Sequence, residues 1–369
     1  MKFRKTTLSL GLALGLGACL LAAGPAMAQS PYPVVQGKYY KFEKIADGVY
    51  YASPGFNGTF FPFGSNPFFG ANLVVIVNKD DVVLVDSATS PRAARALMAD
   101  VKRLTDKPIR TVVNTHWHYD HTDGNSAFGP EVQIIGHEYV RHQLETLDIL
   151  HNEPFRSSTA NAPQAMIDRF TRQAAAEKNA SKKAALEKML ADTKAATKEF
   201  VQDIKEIKPT PPNLTYRDKL VLYRGGREID LLFLGRGHTG GDTVVFLPKE
   251  KIVCTGDLME SRIAFMGSAF FDEWLKTLDA LKQLDFTTDL PGHGAPFKDK
   301  GLITAFQSYL TDILAQAAKL KAQGVSADEA AKRVDLRSHA KDFPDIEDAG
   351  AEVRGVRRIY AWMDEKGRK

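Results

Sequence analysis

The chain has 369 residues, 44% of them hydrophobic and 25% charged, with a formal net charge of +4. These values describe a globular protein with an ample core and exclude both a disordered tract and a membrane-embedded bundle. Three of the 49 basic residues and no acidic ones lie in residues 1–28, so the remainder carries only +1 and no basic field suited to nucleic acid.

Residues 1–28 read as a secretory signal peptide. Lys2, Arg4 and Lys5 start it, Leu8 to Ala23 form its apolar run, and Ala26-Met27-Ala28 is a small-x-small cleavage site. The expected location is therefore secreted or periplasmic, with cleavage after Ala28. A lipoprotein is the competing reading, through Leu16-Gly17-Ala18-Cys19. Against it, the apolar run continues past Cys19 where a lipoprotein turns polar. Once the signal is removed Cys254 is the single cysteine, so no intrachain disulfide is expected and stability falls to the core. No later apolar stretch reaches membrane-spanning length, so no stable membrane insertion is expected after cleavage.

Gly48 to Ala52 predicts a short strand. Six phenylalanines (Phe56, Phe60, Phe61, Phe63, Phe68, Phe69) then fall in fourteen residues broken by Gly, Pro, Asn and Ser, which rules out a regular helix or strand. Two readings stand for this loop: one tucked onto the core by its rings, or a flap over an apolar substrate. Ala71–Val77 and Val82–Asp86 predict a hairpin. Pro91 to Leu104 has helical spacing, with Ser90 as cap and Pro91 in the first turn. Residues 109–115 and Val132 to Gly136 predict further strands, so the order is that of an α/β layer.

A helical insertion is expected over about 140–212. Residues 163–208 are rich in Ala, Lys and Glu. Leu186, Leu190, Phe200, Ile204 and Ile207 make an apolar stripe that Thr193 and Thr197 fill in, and Pro209, Pro211 and Pro212 end it. Its charged face is read as solvated, with a lid or a partner surface as the alternative. Strands resume at Lys219–Tyr223, Glu228–Leu234, Thr243–Leu247 and Lys251–Cys254. From Leu302 the pattern is helical, with a capping box at Ser326 to Glu329 and a last helix near Ala349 to Met363. The expected division is a signal over 1–28, an α/β domain over 29–300, and a C-terminal helical extension over 301–369.

The chemistry is concentrated in Asn114-Thr115-His116-Trp117-His118-Tyr119-Asp120-His121. Imidazole and carboxylate are the usual nitrogen and oxygen ligands of zinc and related divalent metals. On an extended segment His116, His118 and Asp120 point one way, and His121 reaches a neighbouring point around a turn. The run looks like ligands for two metals and needs partners. Three candidates follow strands: His238 after Gly237, Asp257 after Gly256, and His293 after Gly292. Glycine beside each lets the backbone turn sharply and keeps Cβ atoms out of a crowded centre. His137, His142, His151 and His339 have no station in this pattern.

These residues resemble the metallo-β-lactamase superfamily: His116-x-His118-x-Asp120-His121, then His238, Asp257 and His293, in the family's order over roughly residues 45–300. The resemblance implies a four-layer αβ/βα sandwich with the metals at one edge of two facing sheets. It implies that His116, His118 and His238 bind a first metal, and that Asp120, His121 and His293 bind a second. Asp257 would bridge them, and Asp86 would stand behind the metal loop to orient it or a ligand imidazole. The implied cofactor is two Zn²⁺ per chain, or another divalent metal. The implied reaction is hydrolysis of an ester, thioester, lactone or related carbonyl substrate by a metal-bridging hydroxide that Asp120 also orients.

The best-known β-lactamase subclass has Cys at the Asp257 station and Lys at the Glu260 station. Glu260 is expected to repel a β-lactam carboxylate, and Asp257 resembles the bridging carboxylate of the glyoxalase II, lactonase and nuclease branches. A β-lactamase, a mononuclear iron persulfide dioxygenase and a non-catalytic metal-binding accessory protein remain as alternatives. The expected partner is a small molecule, apolar if the phenylalanine loop covers it.

Overall fold

The computed structural model describes residues 31–56, 59–60, 70–151 and 155–367. The predicted signal peptide and most of the phenylalanine loop lie outside the described residues. The first sheet takes β1 (Val34–Gln36), β2 (Tyr40–Ala46), β3 (Val49–Phe56), β4 (Thr59–Phe60), β5 (Leu73–Val77), β6 (Val82–Val85), β7 (Ile109–Val113), β8 (Gln133–His137) and β9 (Leu214–Tyr216). They pair in chain order, except that β3 also pairs β5 while β4 folds back on β3. The second sheet runs β10 (Lys219–Arg224), β11 (Arg227–Phe233), β12 (Thr243–Leu247), β13 (Ile252–Gly256) and β14 (Thr288–Pro291).

The strand sequences are Val- and Ile-rich on both faces because both faces are covered. Val74 and Ile76 of β5, with Val83 and Val85 of β6, meet Ile229, Leu231, Val245 and Ile252 of the second sheet. The alternate residues Leu73, Val75, Val82 and Leu84 face α1 (Pro91–Val101) through Ala93, Ala96 and Leu97. Period-two alternation thus sends one strand into two cores.

A short turn, α2 (Tyr119–Thr122), carries part of the metal run, and α3 (Glu138–Thr146) follows β8. The predicted insertion is a hairpin of two helices, α4 (Phe155–Ala176) and α5 (Ala180–Asp203), rather than one stripe. Asn179 breaks it by capping α5: its side chain accepts the Lys182 amide at 3.0 Å. Phe170, Ala196 and Phe200 close over the α1 side of the first sheet. Arg92 of α1 holds Asp203 at 2.7 Å and Glu199 at 2.8 Å.

On the far side α6 (Phe271–Gln283), α7 (Gly301–Ala322), α8 (Ala327–Arg333) and α9 (Val353–Gly367) pack on Leu232, Val244, Phe246 and Val253. The layers are therefore helix, sheet, sheet, helix, as the α/β sandwich reading expects. Among the described residues no helix is long and apolar enough to cross a membrane.

Strand direction brings the loops together. β6, β7 and β8 are parallel, so the loops after them leave by one edge. In the second sheet β13 and β14 are parallel, and β11 is antiparallel to β12, which is antiparallel to β13. β11, β13 and β14 therefore also end at a common edge, where His238, Asp257 and His293 follow them.

Candidate metal centre

The run after β7 is not the extended segment that the residue spacing suggests. The strand stops at Val113, His118 has φ −64° and ψ 151°, and Tyr119–Thr122 turns helically. Alternation therefore does not align Asp120 with His116 and His118. The helical turn instead carries Asp120 and His121 together to a neighbouring point. Trp117 packs with Val140, Leu144 and Ile149 and stands edge-on to the His118 ring at 4.7 Å.

Seven donors converge in two groups, His116, His118, His238 and Asp257 in one, and Asp120, His121 and His293 in the other. Asp257 faces both. Its Oδ2 lies 3.8 Å from His116 Nε2, 3.6 Å from His238 Nε2 and 3.5 Å from His293 Nε2, and its Oδ1 is 3.3 Å from His121 Nε2. His293 Nε2 is 3.0 Å from Asp120 Oδ2, and His238 Nε2 is 3.0 Å from His118 Nδ1. Gly292 is needed for this approach, because a Cβ there would stand 2.3 Å from Asp257 Oδ1 and 2.8 Å from the His121 ring.

The neighbours of the ring nitrogens orient the donors. Asp86 holds His121 Nδ1 at 2.7 Å and accepts the Thr115 amide at 2.7 Å, so it steadies both the imidazole and the loop. Thr115 Oγ1 lies 3.0 Å from His116 Nδ1, and Ser268 Oγ lies 3.0 Å from His118 Nε2. Asp242 clamps the His238 loop by accepting the Thr239 amide and hydroxyl. The Thr239-x-x-Asp242 spacing was a readable signal for that clamp. Ser268 carried none, since it lies in an irregular loop.

His116 Nε2, His121 Nε2 and Asp257 Oδ1 are buried and have no hydrogen-bond partner among the described residues. Unpaired buried polar atoms cost about 1–3 kcal/mol each. Divalent cations seated among them would satisfy all three, so the donor set fits such metals. Burial holds the His116 and His118 pKa values well below the imidazole range and lowers His238 to about 4, leaving neutral lone pairs. Burial also opposes charging His121 and His293. Asp257, Asp86 and Asp120 nevertheless raise His121 well above that range, and Asp257 with Asp120 brings His293 up to about 9. The carboxylates therefore draw positive charge to this pair.

Glu260 does not confront the site as an open negative charge. It is buried, and Arg262 Nε donates to it at 2.8 Å. The pair replaces the open negative charge that the sequence suggests at this position. Arg262 is one-third exposed, and its charge acts directly on Asp257, Asp120 and His293. Of the four histidines without a station, His137 caps α3, His151 lies 2.8 Å from Asp148 and His339 lies 3.0 Å from Asp312.

Residues 66–293 match the metallo-beta-lactamase superfamily. A linear primary-alkylsulfatase from a Pseudomonas species is 25% identical over 296 residues, which are 76% of this chain and 53% of that protein. The metallo-beta-lactamase IND-1 of Chryseobacterium indologenes is 27% identical over 242 residues, 64% of this chain and 76% of its own length. Among solved structures, the stereoselective inverting sec-alkylsulfatase Pisa1 from Pseudomonas shares the fold at TM-score 0.55 and 16% identity, over 86% of this chain and 49% of that one. The chain thus spans about half the length of the two alkylsulfatases. With the matched segment holding all seven donors on a sandwich of two sheets between helices, the chain belongs to the metallo-beta-lactamase superfamily.

Proposed function

We propose that the protein is an exported dinuclear zinc hydrolase that cleaves an ester, thioester, lactone or related carbonyl substrate. The observation that carries this reading is Asp257, a single carboxylate within 3.8 Å of one imidazole pair and 3.5 Å of the other. His116, His118 and His238 would hold the first cation and Asp120, His121 and His293 the second, with Asp257 between them. Bound there, the cations would supply Lewis acidity and lower the pKa of water toward neutrality.

The protein's own groups do the rest. Asp120, whose Oδ2 faces His293 Nε2 at 3.0 Å, would orient the attacking water. Asp86 and Thr115 fix imidazoles, and the buried surround limits competing solvent. Gly70 lies against Asp120, since a Cβ there would meet the Asp120 Cβ at 2.7 Å. Export rests on the signal pattern of residues 1–28.

Arg262 favours a second reading, hydrolysis of a sulfate ester with an apolar chain. Its guanidinium offers donors to an anionic head group, and one relative is named for alkyl sulfates. Metal analysis of the purified protein, combined with an aryl ester, a thioester, a lactone, an alkyl sulfate and a chromogenic cephalosporin, tests both. Two zincs per chain with carbonyl-ester turnover supports the first reading, and turnover of the alkyl sulfate alone selects the second. One iron per chain with oxygen consumption overturns both.

A further inference from the structure

Helix α9 lies beyond the superfamily match, which ends at residue 293, yet its contacts lead back to the first donor group. Gly355 packs against Met266, where an added Cβ would come within 3.2 Å of the Met266 Cβ. The Arg354 guanidinium lies 4.6 Å from the Phe265 ring, and Arg358 Nε donates to the Ala269 carbonyl at 3.0 Å. The helix therefore grips residues 265–269 at three points. That loop carries two side chains to the donors. The Phe265 ring stands edge-on to His118 at 5.7 Å and to His238 at 6.3 Å, and Ser268 Oγ lies 3.0 Å from His118 Nε2.

His118 has two neighbours and one proton to place when neutral. Its Nδ1 faces His238 Nε2 at 3.0 Å, and its Nε2 faces Ser268. A proton on Nδ1 would point at His238 and make a histidine–histidine hydrogen bond that leaves no lone pair for a cation. A proton on Nε2, accepted by the serine hydroxyl, turns the Nδ1 lone pair toward the space shared with His238. We propose that Ser268, on a loop that α9 holds in place, is the positioning residue that accepts the Nε2 proton of this tautomer and so presents His118 Nδ1 to the first cation. This rests on the reading of His116, His118, His238 and Asp257 as a cation-binding group. It makes the C-terminal helix part of the metal centre rather than an appendage.

The test uses the full chain, stripped with chelator and titrated with Co²⁺, alongside Ser268→Ala, Ser268→Thr and Arg354→Ala. Cation affinity is read by competition with a chromogenic chelator, and ligand geometry by the visible Co²⁺ absorption. Ser268→Ala should weaken one of the two cations by about 10- to 100-fold and shift its absorption bands, with the other unchanged. Ser268→Thr, which keeps the hydroxyl, should restore both. Arg354→Ala should show the same shift in smaller measure. Wild-type affinity and spectrum in Ser268→Ala would overturn the proposal while leaving the two-cation reading intact. So would a Ser268→Thr protein as impaired as Ser268→Ala, which would show a packing role. A wild-type protein that binds no Co²⁺ would overturn the proposal together with the reading it rests on.

Discussion

The Asp86 carboxylate lies 2.7 Å from His121 Nδ1, and Asp86 itself sits at φ 68°, a left-handed backbone conformation rare for a residue with a Cβ. Such strain persists where surrounding contacts over-determine it, and here the Thr115 amide and hydroxyl supply them at 2.7 and 2.9 Å. An ionised Asp86 accepts the Nδ1 proton, so that a cation displacing the Nε2 proton would find the His121 lone pair on the Asp257 side. Asp86→Ala should therefore weaken the second cation by about 10- to 100-fold. Asp86→Asn should be impaired to a similar degree despite its equal size, because an amide N–H donating to Nδ1 would move the imidazole proton to Nε2. Chelator competition on both variants checks this. An asparagine variant with wild-type affinity would contradict the tautomer argument.

Arg262 gives a prediction about substrate charge. Replacing it alone would strand buried Glu260, so the informative variant is the pair Arg262→Met with Glu260→Gln, which removes both charges at similar volume. Turnover of anionic esters should fall about 10- to 100-fold, in keeping with about 1.5–3 kcal/mol for a hydrogen bond to a charged group. Neutral aryl esters should change much less. The ratio of the two kcat/KM values in one preparation is the readout, since partial misfolding cancels from it. An unchanged ratio would show that Arg262 only neutralises Glu260.

The donors were legible from residue types and glycine neighbours, because metal ligation needs specific chemistry at specific stations. Their local geometry was less so: alternation aligned Asp120 with His116 and His118, but the strand ends at Val113 and Asp120 rides a helical turn. The hairpin β5–β6 and the Ser90-capped helix were readable because apolar periodicity and capping coincide there. α6 starts on acidic Asp272 and Glu273 but without a capping side chain, since Phe270 stands at its N-cap, and α3 is capped by a histidine. Ser268 and Arg262 belong to an irregular loop whose position depends on α9 and on Glu260, long-range contacts with no local pattern.

Cation binding should also stabilise the fold. The unpaired His116, His121 and Asp257 atoms gain partners only in the folded chain, where the donors converge. Each cation at 100 times its Kd should add about 2.7 kcal/mol by mass action. Urea denaturation of chelated protein, with and without added Zn²⁺, measures this, and the midpoint should rise with Zn²⁺ concentration while the m-value stays constant. A midpoint that does not respond to Zn²⁺ would contradict binding at these donors.

The account turns on Asp257 standing between two cations. Anomalous diffraction at the zinc edge from crystals of Zn²⁺-loaded protein tests it most directly. Two peaks are expected, about 3.5–4 Å apart, one within bonding distance of His116, His118 and His238 and the other of Asp120, His121 and His293, with an Asp257 oxygen on each side. A single peak, or two peaks with Asp257 contacting only one, would contradict the account.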